Sequence, residues 1–194
     1  MSKKILIVQG HPNPTSYCSA LAEAYKKAAI ASGAEVHEII VNDLEFDLNP
    51  PEYRSKLIPE LEADVLKAQD EISWAEHLVF VYPTWWGTMP TLLKGFIDRV
   101  FTSGFAFKYR QDSIWWDQLL KGKSARLIVT MDTPPWYYRF VYGQPGHTAM
   151  KNTILGFCGV KPVKITSIGS VKTSSLDQRQ KWLKNVEDLG REYL

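Results

Sequence analysis

Three short stretches of the chain carry residue types that bind or transform small molecules. The first, Gly10-His11-Pro12-Asn13-Pro14-Thr15-Ser16, joins the apolar run Ile5 to Val8 to a segment in which Leu21, Ala24 and Tyr25 recur at helical spacing. A loop entering a helix presents unpaired backbone N–H groups at the positive end of the helix dipole, and these can seat a phosphate without a lysine. Thr15 and Ser16 add hydroxyl donors, His11 adds a ring nitrogen, and Pro12 and Pro14 stiffen the path. A plainer arrangement stays open, in which Ser16 only caps the helix and His11 packs.

The second stretch is Pro83-Thr84-Trp85-Trp86-Gly87, directly after the apolar run His77 to Tyr82. Two adjacent indoles in a loop expose much apolar surface unless something flat covers them, and Gly87 lets backbone approach a ligand closely. The alternative is that both tryptophans close the core over the sheet edge. The third stretch, Asp132 to His147, holds several tyrosines, Arg139 and His147. A tyrosine hydroxyl and an imidazole with a pKa near about 6.5 can stabilise or protonate developing negative charge at neutral pH. Tyr137, Tyr138 and Tyr142 compete for that role beside His147, which also stands where a helix starts. Arg139 suits a nucleotide phosphate or simply the surface.

These stretches need a frame that brings them together. Apolar runs at Ile5–Val8, Glu35–Val41, His77–Tyr82, Arg126–Met131 and Val163–Ile168 alternate with helical patterns at 16–32, 61–74, 92–101, 148–158 and 176–194. Such alternation predicts an α/β fold with a parallel sheet between two helix layers. Ligands of such sheets bind outside the carboxyl ends of the strands, where all three stretches fall. Residues 42–59 read as turn-rich, centred on Asn49-Pro50-Pro51, and the whole of 1–194 reads as one domain. Lys94, Asp98 and Arg99 are expected on a solvated or subunit-facing side of their helix.

Composition removes several alternatives. A formal net charge of +2 gives no case for nucleic acid or a membrane surface. Nothing approaches a bilayer-spanning length, and the first apolar run is too short for a signal peptide, so a cytoplasmic protein is expected. Cys18 and Cys158 form no CxxC, and the four histidines have no local partner at metal-ligand spacing. The Gly-x-Gly-x-x-Gly fingerprint is absent, which leaves Asp43 as a turn residue rather than a ribose-binding acid.

With those residues in view, the chain resembles the flavodoxin-like NAD(P)H:quinone oxidoreductases of the DT-diaphorase type. The resemblance runs nearly end to end and is carried by "HPNPTS", "PTWWGTMPTLLKGFIDRVF", "GFAFKY" and "ILGFCGVKPVK". It implies a flavodoxin-like three-layer sandwich with a five-stranded parallel sheet in order 2-1-3-4-5, a flavin across its carboxyl edge, and a homodimer with shared active sites. It assigns His11, Thr15, Ser16, Tyr17 and Cys18 to the flavin phosphate and ribityl region, and Pro83, Thr84, Trp85, Trp86 and Gly87 to the isoalloxazine. Phe107, Tyr109 and Phe157 match aromatic walls contributed by a partner subunit.

The implied activity is two-electron transfer from NAD(P)H through the flavin to a quinone or another flat, electron-poor acceptor. A one-electron carrier of the flavodoxin type and a regulatory subunit of a potassium-efflux system are the rivals. In "SSLDQRQKW", Asp177 and Arg179 fall near positions that in the family approach the adenine end, so the resemblance slightly favours FAD, with FMN as the alternative. In "TMDTPPWYYRFVYGQPGHTAMKNT" the chain departs from its relatives, with Pro134-Pro135 where they carry a glycine pair facing the flavin, but Tyr142 with His147 has nearly the spacing of the family's tyrosine and histidine beside that flavin, so the resemblance favours this pair over Tyr137 or Tyr138.

Overall fold

In the computed structural model, which describes residues 2–49 and 61–193, one parallel sheet carries the architecture. Its strands are β1 (Lys4–Gln9), β2 (Glu35–Ile40), β3 (His77–Pro83), β6 (Ser124–Thr130) and β7 (Val163–Ile168). Between them run α1 (Tyr17–Ala31), α2 (Ala63–Trp74), α3 (Thr91–Val100) and a hairpin of β4 (Phe107–Tyr109) with β5 (Trp116–Gln118). After β6 come α4 (Pro135–Phe140), α5 (Pro145–Thr148) and a π-helical stretch, Ala149–Leu155, while α6 (Leu176–Arg191) follows β7. The sheet order is β2-β1-β3-β6-β7, which is 2-1-3-4-5 when its own strands alone are counted. The alternation predicts this parallel sheet between two helix layers, and the strand order is the one that the resemblance implies.

Successive side chains of a strand point to opposite faces, so each central strand feeds two cores. Leu6, Val8, Leu78, Phe80 and Leu127 pack with α2 and α3 residues such as Ile72, Leu93 and Phe96. Ile5, Ile7, Val79, Val81 and Ile128 pack against Leu21 and Tyr25 of α1 and Val186 of α6. Every residue of β3 is buried, as its uninterrupted apolar run requires of a strand covered on both faces. The in-register pairing of Gln9 with Val81 and of Pro83 with Thr130 brings the three candidate loops to one edge.

Several details differ from the sequence reading. The β4–β5 hairpin and α4 were not expected: the hairpin strands are three residues each and partly exposed, too short for periodicity to register. Pro134-Pro135 reads as a helix breaker, yet proline at the cap and first turn is compatible with a helix. The helix expected over 148–158 is π-helical from Ala149 to Leu155. Arg99 turns inward, is 5% exposed and bonds Glu62 instead of facing solvent. Lys94 and Asp98 do form an exposed pair one turn apart. Val41–Asp43 make a short 3₁₀ turn, and the rest of the turn-rich stretch from Pro50 onward lies outside the described residues. Cys18 and Cys158 are buried free thiols. No helix among the described residues is long and apolar enough to cross a membrane.

Candidate functional site

At the carboxyl edge of the sheet lies a cavity of about 690 Å³. One wall is Thr84, Trp86 and Gly87, the back is Met131, Asp132 and Thr133 at the end of β6, and the facing wall includes Tyr138, Val141 and Tyr142.

The loop after β1 is held by its own side chains. Asn13 Oδ1 accepts from both the amide and the hydroxyl of Thr15, each at 2.9 Å. Ser16 is the N-cap of α1 and its Oγ accepts from Ser19 N–H at 3.2 Å. Gln9, which the sequence reading did not single out, spans the loop: its Oε1 accepts from His11 N–H at 3.1 Å and its Nε2 donates to Ser19 Oγ at 2.7 Å. His11 Nδ1 accepts from Asn13 N–H at 2.9 Å, which leaves the proton of the neutral ring on Nε2, and burial lowers the ring's pKa. The capping role of Ser16 is therefore real, and it leaves other donors free. Among the described residues, no acceptor meets the amides of Tyr17 and Cys18, the first two of α1. With no acidic side chain in that first turn, this donor set fits a phosphate.

Other groups expected near the phosphate divide by atom. The Cys18 thiol is in the core, 3.2 Å from Thr130 Oγ1, and burial pushes its pKa up to about 11, so only its backbone faces the loop. Tyr17 Oη donates to the Arg179 carbonyl at 2.7 Å, and burial raises that phenol to about 12 despite the guanidinium nearby. Arg179 lies over the Tyr17 ring at 5.9 Å, with Nε donating to Ser174 Oγ and an outer nitrogen to Val171 O.

After β3 the chain makes a two-residue reversal. Trp85 N–H donates to Thr88 O at 2.8 Å and Thr88 N–H returns to Trp85 O at 3.0 Å. The two residues between them have positive φ, 49° at Trp86 and 77° at Gly87, the pattern of a type I′ turn. Glycine is at home there, whereas tryptophan is not. Trp86 is in consequence wholly exposed, while Trp85 is half-exposed and meets the His11 ring edge-on at 6.0 Å. That contact makes the first two loops neighbours. Pro83 is buried, and Thr84 N–H is fixed by Thr130 O at 2.7 Å.

The third loop is folded by long-range contacts. Pro135 lies against Gly169 beyond β7, so close that a Cβ there would stand 2.3 Å from Pro135 Cδ. Tyr138, buried on α4, donates from Oη to Gly87 O at 2.8 Å and accepts from Gly146 N–H at 3.0 Å. Tyr142 lines the cavity, its ring edge-on to Tyr137 at 5.0 Å. His147 is 4% exposed and edge-on to Tyr138 at 4.9 Å, its Nε2 is buried with no hydrogen-bond partner among the described residues, and burial lowers its pKa. Tyr142 is thus at the cavity wall and His147 is packed behind Tyr138. Arg139 is exposed and sits over Phe140 at 5.2 Å.

Phe107, Tyr109 and Phe157 cluster on another flank. Phe107 meets Tyr109 at 5.3 Å and Phe157 at 5.1 Å, and Phe157 stacks on Trp116 at 4.3 Å. Phe107 and Phe157 border other hollows, and none of the three lines the carboxyl-edge cavity. Gln9 and Thr130 are residues that sequence reasoning missed, and Tyr138 is one that it weighed but passed over for Tyr142. Their partners are side chains and carbonyls distant in sequence, except for the contacts of Gln9, whose place at the end of an apolar strand was a readable signal.

Residues 3–189 match the model of a family described as having a flavodoxin-like fold. A ribosyldihydronicotinamide dehydrogenase-like protein of Penicillium crustosum is 34% identical over 155 residues, 66% of this chain and 57% of that protein, so the match spans little over half of the relative. NAD(P)H dehydrogenase [quinone] 1 of Cavia porcellus is 27% identical over 220 residues, covering 96% of this chain and 78% of that one. The crystal structure of Smu.1420 from Streptococcus mutans UA159 superposes with a TM-score of 0.83 at 34% identity, covering 97% of this chain and 99% of that one.

Proposed function

Because the chain belongs to the family with the flavodoxin-like fold, we propose that it is a flavin-dependent NAD(P)H:quinone oxidoreductase. One observation carries the reading: the free amides that open α1 and the tryptophan turn that walls the cavity are joined through the His11–Trp85 contact at one sheet edge. A phosphate seat beside a flat apolar wall suits a phosphorylated planar cofactor. The names of the relatives, a quinone-reducing NAD(P)H dehydrogenase among them, support the same class.

A bound flavin supplies acceptance of hydride from NAD(P)H and delivery of two electrons to the acceptor. The amides of Tyr17 and Cys18 hold its phosphate, with Thr15, Ser16 and His11 around the tail. Trp85, Trp86 and Thr84 would border a ring bound there and exclude water from it, and the Gly87 backbone would be available to its polar edge. The Tyr142 hydroxyl, at the cavity wall, donates a hydrogen bond where negative charge develops. His147, packed edge-on behind Tyr138 and with its pKa lowered by burial, orders that wall from behind. Donor and acceptor use one cavity in turn, which gives ping-pong kinetics. The flavin is FAD in this reading, with Arg179 toward its adenine end. The active form is a cytoplasmic homodimer in which Phe107, Tyr109 and Phe157 close the partner's cavity.

The test is direct. Purified protein is expected to be yellow, to release FAD on denaturation by mass, and to oxidise NAD(P)H with a naphthoquinone along parallel double-reciprocal lines. Colourless protein that takes up neither FAD nor FMN and leaves NAD(P)H unoxidised overturns the proposal, and release of FMN corrects the cofactor alone.

A further inference from the structure

We propose that Tyr138 is a positioning residue: its hydroxyl, held between Gly87 O and Gly146 N–H, fixes the turn that carries Trp86 and thereby sets the wall of the cavity. The proposal rests on the functional reading above only for what the wall is used for.

The physical need lies in the turn itself. At φ 49° the Trp86 backbone is in a region that a bulky side chain seldom adopts, and such a conformation persists where its surroundings over-determine it. The two bonds between Trp85 and Thr88 close the turn but leave the Gly87 carbonyl pointing away from it. That carbonyl receives two donors, Tyr138 Oη–H at 2.8 Å and Gly146 N–H at 3.1 Å. Gly146 N–H also reaches Tyr138 Oη at 3.0 Å, so three polar groups close a ring around the turn. There is no room for a side chain at that point: a Cβ on Gly146 would stand 2.9 Å from both Thr88 Cα and Tyr138 Oη.

The hydroxyl is in turn anchored. Tyr138 is 2% exposed, its ring is braced by His147, and the start of α4 is clamped by Pro135 against Gly169. A continuous path therefore runs from the end of β7 through α4 to the turn after β3, two strands that do not pair with each other in the sheet. Burial also raises the phenol's pKa, which keeps its proton in place at neutral pH. Tyr142 has no such bond to the turn, although it shares the cavity.

The experiment labels the seven tryptophans with 5-fluorotryptophan and assigns the Trp86 fluorine resonance by its loss in Trp86→Phe. In Tyr138→Phe, which keeps the ring, the Trp86 line is expected to shift and broaden while the lines of Trp74, Trp115, Trp116 and Trp182, which lie outside the turn and α4, hold. In Tyr142→Phe the Trp86 line is expected to stay. With flavin bound, Tyr138→Phe should raise KM for the quinone about tenfold with kcat changed less than about twofold, because the phosphate seat is untouched. Gly146→Ala, which crowds the same ring of bonds, should move the Trp86 line as well and decides the matter if Tyr138→Phe does not fold. An unmoved Trp86 line in a folded variant overturns the proposal. Protein that binds no flavin defeats the functional reading instead, and the fluorine spectrum still decides on Tyr138.

Discussion

The loops after β1 and β6 border the same edge of the sheet and are held in opposite ways. In the first, nearly every bond joins residues a few positions apart: Asn13 to Thr15, Ser16 to Ser19, Gln9 to His11. In the second, the bonds that matter reach across the fold, from Tyr138 to Gly87 and from Pro135 to the close approach at Gly169. A locally bonded loop carries its own shape and can present a constant feature such as an anion seat. A loop shaped by distant contacts depends on three strands being in place, and it can reposition a cavity wall when any of them changes.

Substitutions that load one loop and spare the other sharpen this contrast. Gly169→Ala is expected to have the largest effect, because its Cβ would meet the rigid Pro135 ring and the Thr133 carbonyl within 2.7 Å. Overpacking of this kind costs about 1–3 kcal/mol. Urea unfolding should show that loss, and a variant as stable as the parent would mean that α4 yields freely. Ser16→Ala removes only the cap of α1 and should cost about 1 kcal/mol. It should also weaken flavin uptake by disturbing the amides beside it, while a loss as large as that of Gly169→Ala would erase the distinction between the loops.

The smallest expected effect separates the two histidines. Burial lowers the pKa of both His11 and His147, so the folded chain binds fewer protons than the unfolded one. Their contribution to stability is full above the unfolded value near about pH 6.5 and declines as acid is added below it. His147 is 4% exposed and His11 more open, so His147→Gln should flatten the acid-side decline more than His11→Gln. Unfolding free energies at about pH 7.5 and about pH 5 measure the two slopes, and equal slopes contradict the assignment.

The same distinction explains what could be read from the chain alone. The strands and most helices were legible because β3 is an unbroken apolar run and α1 has a serine cap and a regular apolar face. The tryptophan pair and the start of α1 were legible as candidate site elements for the same local reasons. Tyr138 was not, since three tyrosines in six positions look alike in sequence and its acceptor lies 51 residues away. Nor was α4, because proline signals a break unless its place at a helix start is known. The reversed handedness of the turn was half legible: Gly87 announces a positive φ and Trp86 conceals one.

The two cysteines carry a chemical consequence for a protein of this proposed activity. Quinones are arylating electrophiles that add to sulfur anions, and catalysts working on them risk being alkylated by their own substrates. Here burial pushes the thiols up to about 11 and about 12, which keeps both protonated and weakly nucleophilic at neutral pH. Buried and protonated, neither sulfur offers such reagents an accessible anion to arylate.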